Sequence, residues 1–137
     1  MLKKFYRLII IPYTVFLLYL MFLGMGRFQY EDNIARLVPV YATVKFIELT
    51  ISWLYITEII LGNIVMFIPF GFLGWLFPKL KDMKSLLFAF ISAITIVEAL
   101  QYFTRMGIFE TDDIILNTLG VYLGWGLCRF MEAKSGR

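Results

Sequence analysis

Two stretches of nineteen residues without a single charge, Leu8–Gly26 and Ile59–Phe77, constrain this chain more than any motif does. An uninterrupted apolar run of that length matches the roughly 20 residues that cross a bilayer as a helix. The whole chain agrees: 61% of its 137 residues are hydrophobic and only 17% are charged, against about 45–50% and about 25% in soluble domains. Lipid, rather than a large water-soluble core, accounts for the excess. Lys3, Lys4 and Arg7 before the first run give it the look of a signal peptide, but no small-residue cleavage site follows and further spans come after it. It is read as a retained helix.

Two more spans complete the pattern. Ser85–Thr104 is apolar apart from Glu98 and Gln101 near its end, and 112–130 holds the apolar run Ile114–Leu127. The expected architecture is all-α: one domain over 1–137, a four-helix transmembrane bundle with spans at about 8–26, 59–77, 85–104 and 112–130. The segment at 37–57 is apolar, yet a fifth crossing there would bury Lys45 and Glu48, each at a cost of about 2.5–3.5 kcal/mol. An extra interfacial or re-entrant helix between helices one and two avoids that cost, and Pro39 suits its start.

Basic residues set the orientation. Lys3, Lys4, Arg7, Lys79, Lys81, Lys84, Arg129, Lys134 and Arg137 gather on one side, with only Arg27, Arg36, Lys45 and Arg105 on the other. The positive-inside rule puts both termini in the cytoplasm of a multi-pass protein of the cell membrane. The cations are spread over short loops, which argues against nucleic acid. The absence of histidine and the single cysteine, Cys128, exclude an internal disulfide, a Ser-His or Cys-His nucleophile and a zinc site of the usual ligands. No metal site or cofactor is expected.

Polarity is concentrated at the outer ends of the helices. Glu98, Gln101 and Arg105 form one stripe at i, i+3 and i+7, while Asp113 and Asn117 share a face of helix four beside Asp112. Asn63 stands in the outer half of helix two, with Glu58 above it. The short connection 106–111 holds helices three and four side by side, so these groups converge in one ligand-binding pocket. Arg105 is then in reach of Asp112 or Asp113, and Asn63 of Asn117. Two readings compete. In the plain one, Asn and Gln bridge helices, Asp112 caps helix four, Glu98 pairs with Arg105 and Arg36 is a surface charge. In the other, the groups bind a ligand; an acid as deep as Glu98 favours that reading. Glu98 and Asp113 are the candidates for catalysis.

Glycine and proline shape the scaffold. Pro69 and Gly71 in FIPFGFLG break the helical ladder of helix two. Gly120 and Gly124 give small-xxx-small spacing for close packing, with Gly126 as a further small surface. Pro12 bends helix one, and Gly24 and Gly26 loosen its end.

Three blocks in order, GNIVMFIPFGFL (62–73), EALQ (98–101) and DDIILNTLGVYLG (112–124), resemble the VanZ-like family of small bacterial membrane proteins. Asn63, Pro69, Gly71, Glu98, Gln101, Asp113, Asn117 and Gly120 match its pattern. ARLVPV (35–40) departs from an earlier block closer to Asn-Leu-Ile-Pro-Phe, with Arg36 and Val40 at two changed positions, and the arginine usual before Asp-Asp has no in-register match. The resemblance implies a role at the cell envelope and an association with reduced susceptibility to glycopeptides such as teicoplanin. It supplies no reaction. A site of this kind can hold membrane lipid, a lipid-linked cell-wall precursor, a lipoglycopeptide or an anionic head group. A carboxylate-dependent hydrolase or transferase with Arg105 stabilising negative charge, and a small oligomeric transporter with Glu98 as relay, are the alternatives.

Overall fold

Helix α1 (Leu2–Phe22) starts well before the uncharged run and carries Lys3, Lys4 and Arg7 in its first two turns. The computed structural model describes residues 2–24, 28–49 and 53–135; Gly26, Arg27, Arg137 and the side chain of Glu58 lie outside the described residues. Four further α-helices follow: α2 (Tyr41–Leu49), α3 (Trp53–Phe67), α4 (Met83–Thr104) and α5 (Thr111–Ser135). Among the described residues the fold is all-α except for one parallel bridge, β1 (Ala35–Arg36) against β2 (Phe109–Glu110). Among the described residues, α1, α4 and α5 are long and apolar enough to cross a membrane.

The second predicted span is where the structure differs. It begins at Trp53 rather than Ile59, and it is not one helix: α3 ends at Phe67 and a 3-10 segment runs from Ile68 to Trp75. Proline is the cause. Pro69 has no N–H, and in the i→i+3 register the carbonyl facing it is that of Met66. The Tyr13 hydroxyl of α1 donates to that carbonyl at 2.6 Å, and the Tyr6 hydroxyl donates to the Pro69 carbonyl at 2.9 Å. The broken ladder is thus completed by a neighbouring helix.

The tightened segment lies against α5. A Cβ on Gly120 would stand 2.1 Å from the Ile64 carbonyl oxygen, and one on Gly124 2.0 Å from that of Ile68. A Cβ on Gly71 would stand 2.2 Å from the Trp125 nitrogen. Backbone meets backbone on this face. Gly126 is off it, with nothing within 4 Å of an added Cβ, so it adds no packing surface there. On the other side, Leu17, Phe67, Leu86, Phe90, Ile94 and Val121 form the buried core. Only Ile10 and Leu17 of α1 are buried, and much of its remaining apolar surface is exposed, as a lipid-facing helix requires.

The segment at 37–57 yields α2, whose nine described residues rise about 14 Å, and the first residues of α3, from Trp53 on. Its Lys45 sits over the Tyr41 ring, 5.7 Å from the centroid.

Candidate functional site

Three helices aim polar groups at one cavity of about 200 Å³: Asn63 from α3, Glu98 and Gln101 from α4, and Asp113 and Asn117 from α5. The i, i+3 and i, i+4 spacings put each pair on one helix face, and the glycine contact of α5 with α3 draws the faces together. Burial is nearly complete for Glu98 (1% exposed), Asn117 (2%) and Gln101 (3%). The Gln101 amide donates to the Met21 carbonyl at 2.8 Å, tying α4 to the end of α1. The Asn63 amide donates to Asp113 at 3.5 Å, at the long limit of a hydrogen bond. One oxygen of Glu98 accepts from the Glu110 N–H at 3.2 Å. The Asn117 side-chain oxygen is buried without a hydrogen-bond partner.

Residues 28–43 form a cover along the connection of α4 to α5, residues 102–112. The Gln29 and Asn33 amides donate to the carbonyls of Thr104 and Tyr102, and the Phe109 N–H donates to Ile34. Arg36 forms an ion pair across the parallel bridge with Glu110, the residue whose N–H donates to Glu98. The Thr111 hydroxyl reaches the Leu37 carbonyl at 3.2 Å.

Two predicted members of the pocket stand elsewhere. Asp112 does cap a helix, but not its own: its carboxylate accepts from the Val40 N–H at 2.5 Å and from the Thr43 N–H and hydroxyl at 2.8 and 2.7 Å. These are the free donors at the start of α2, so Asp112 fastens the cover to α5. Arg105 ends α4 in the left-handed conformation (φ 59°). Its guanidinium donates to the Glu31 carbonyl at 3.0 Å instead of reaching Asp112 or Asp113. Among the described residues no lysine or arginine lines the cavity. The cavity therefore presents acids and carboxamides. No three histidine, cysteine, aspartate or glutamate groups gather to hold a metal ion among the described residues.

The cover was the part that sequence reasoning missed. One signal was present. Valine is a poor N-cap, so a helix starting after Val40 needs a cap from elsewhere, and Asp112 provides it from 72 residues away.

Comparison with known proteins agrees with the three sequence blocks. The sequence pattern of the VanZ/LLP1 family matches residues 10–132. Protein VanZ of Enterococcus faecium is 31% identical over 99 residues, covering 71% of this chain and 53% of that protein. The chain thus spans about half the length of that relative. No solved structure matches it. With nearly its whole length inside the family pattern, the chain belongs to the VanZ/LLP1 family of multi-pass membrane proteins, a family associated with glycopeptide resistance.

Proposed function

We propose that this protein binds the polar head of a lipid-linked envelope component in the cavity formed by Asn63, Glu98, Gln101, Asp113 and Asn117, and thereby lowers susceptibility to teicoplanin. The observation that carries the reading is the convergence of these five side chains, from three helices, on one cavity. Bundle glue needs polar groups that satisfy one another, whereas here a buried amide oxygen is left over.

In this reading the chain is one domain with four crossings and both termini in the cytoplasm. The second crossing combines α3 with the 3-10 segment, whose 15 and 8 residues rise roughly 38 Å together, enough for a hydrocarbon core of about 30 Å. The cavity then opens near the outer surface, at the cover's end of the bundle. Arg36 and Arg105 hold that cover and do not contact the ligand.

Glu98 and Asp113 on one cavity also favour a second reading, a hydrolase or transferase in which one carboxylate serves as general base. Arg105 has no part in it, since its guanidinium is turned to Glu31.

The test is teicoplanin susceptibility of cells expressing the wild type, Glu98→Gln or Asp113→Asn at matched membrane abundance. Protection by the wild type and its loss in both variants is the expected result. Variants that protect as well as the wild type would overturn the site. Product release from a lipid-linked substrate on prolonged incubation would favour the enzyme over the binding protein.

A further inference from the structure

The end of the bundle that holds both termini carries a cleft and a groove that adjoin. The cleft, about 740 Å³, is lined by Lys3, Lys4, Glu132 and Ser135. The groove, about 280 Å³, has Leu2, Phe5 and Ile9 of α1 on one wall and Ile68, Pro69 and Phe72 of the 3-10 segment on the other. Leu2, Trp75 and Met131 line both spaces. From Leu2 to Ile9 the groove follows α1 for about 10 Å, away from the basic end and into the apolar span. Leu2 and Phe5 are 52% and 60% exposed, so the groove is open toward the surroundings. The Tyr6 hydroxyl beside it already donates to the Pro69 carbonyl at 2.9 Å. A charged cleft leading into an apolar groove has the shape and polarity of an amphiphile.

Charge decides which amphiphile the cleft takes. Glu132 accepts from Lys3 at 2.9 Å and lies 3.6 Å from Arg129, so Lys3, Lys4 and Arg129 outnumber the one carboxylate among them. The Lys3 side chain is 54% exposed, and Lys4 is exposed as well. An excess of positive charge where an apolar span begins attracts an anionic headgroup, and a lysine ammonium serves phosphate as a point-charge partner. Lysine stems lie along apolar surface while their heads stay in water, and Trp75 suits the level of an interface. A zwitterionic headgroup would bring its own cation to these lysines.

We propose that this end binds an anionic phospholipid, with its phosphate at Lys3 and Lys4 and one hydrocarbon chain in the groove between α1 and the 3-10 segment. The site is separate from the cavity of Glu98 and does not depend on what that cavity binds. Neighbouring lipid tails are as apolar as the groove, so the headgroup sets the preference and the groove sets the direction of the chain.

Native mass spectrometry of the full chain in detergent tests this, with phosphatidylglycerol and phosphatidylcholine of identical chains as probes. The expected result is about fivefold or better retention of phosphatidylglycerol. Lys4→Gln, on the exposed first turn of α1, lowers that preference severalfold. Lys79→Gln, exposed in the turn 78–81 at the same end but outside the cleft, leaves it unchanged. Equal retention of the two lipids by the wild type overturns the anionic assignment. An equal loss of preference in the two lysine variants overturns the site and leaves only diffuse surface charge. Ile9→Trp, which fills the groove from a partly exposed position, lowers retention of both lipids and keeps the preference; unchanged retention overturns the route of the chain. Excess glycerol 3-phosphate leaves the bound lipid in place, and displacement of the lipid by it would make this a site for free phosphate and overturn the proposal.

Discussion

The two ends of the bundle use similar chemical groups to opposite effect. At the end that holds both termini, Glu132 accepts from Lys3 and from the Trp75 indole, each at 2.9 Å, with Arg129 at 3.6 Å. Lys3 also sits over the Trp75 ring, and Arg7 donates to the Trp75 carbonyl at 3.1 Å. The acid there has fixed partners on α1, on the 3-10 segment and on its own helix, and it clasps the three together. At the other end, Glu98 and Asp113 face a cavity that also receives a buried, unpartnered amide oxygen. The first cluster is a partly exposed clasp of charged groups, whereas the second is buried against a cavity and leaves one amide oxygen over.

Substitutions separate these roles, beginning with the scaffold that both ends share. Gly124→Val drives a side chain into the Ile68 carbonyl; overpacking of this kind costs about 3 kcal/mol or more, and loss of folded protein on detergent extraction is the expected outcome. Asp112→Ala strips the start of α2 of its acceptor, costing about 2 kcal/mol locally. Hydrogen exchange should rise across 28–49 while the α5–α3 contact stays protected; uniform protection would show that the cover needs no such fastening.

Asn117→Leu breaks the comparison in the most informative way. Removing a buried oxygen without a donor should leave thermal stability unchanged or raise it by about 1 kcal/mol, yet teicoplanin protection should vanish. A variant that is less stable and still protective would make Asn117 glue. The smallest effect belongs to the clasp: Glu132→Gln should lose about 1 kcal/mol, because the cluster is partly exposed and screened. Protection should persist there, and its loss would move the functional site to the opposite end.

Much of the site was legible from spacing alone. Glu98 and Gln101 at i, i+3 and Asp113 and Asn117 at i, i+4 fix which groups share a helix face, whatever the packing. The short connection 106–111 forces α4 against α5. Proline and glycine announced the broken second span, because a missing N–H and a missing Cβ act locally.

The rest lay beyond local reasoning. Arg105 reads as the natural partner of Asp112 until the left-handed turn that ends α4 aims its guanidinium at Glu31. Asp112 reads as the cap of its own helix until α2 arrives with free N–H groups. Sequence determined that this chain enters lipid, where it breaks its ladder and which polar groups lie together on a helix, because hydropathy and helical period are properties of neighbours. Tertiary structure alone decided which charges meet across tens of residues and which acids face a cavity, because those depend on how three helices pack around glycine.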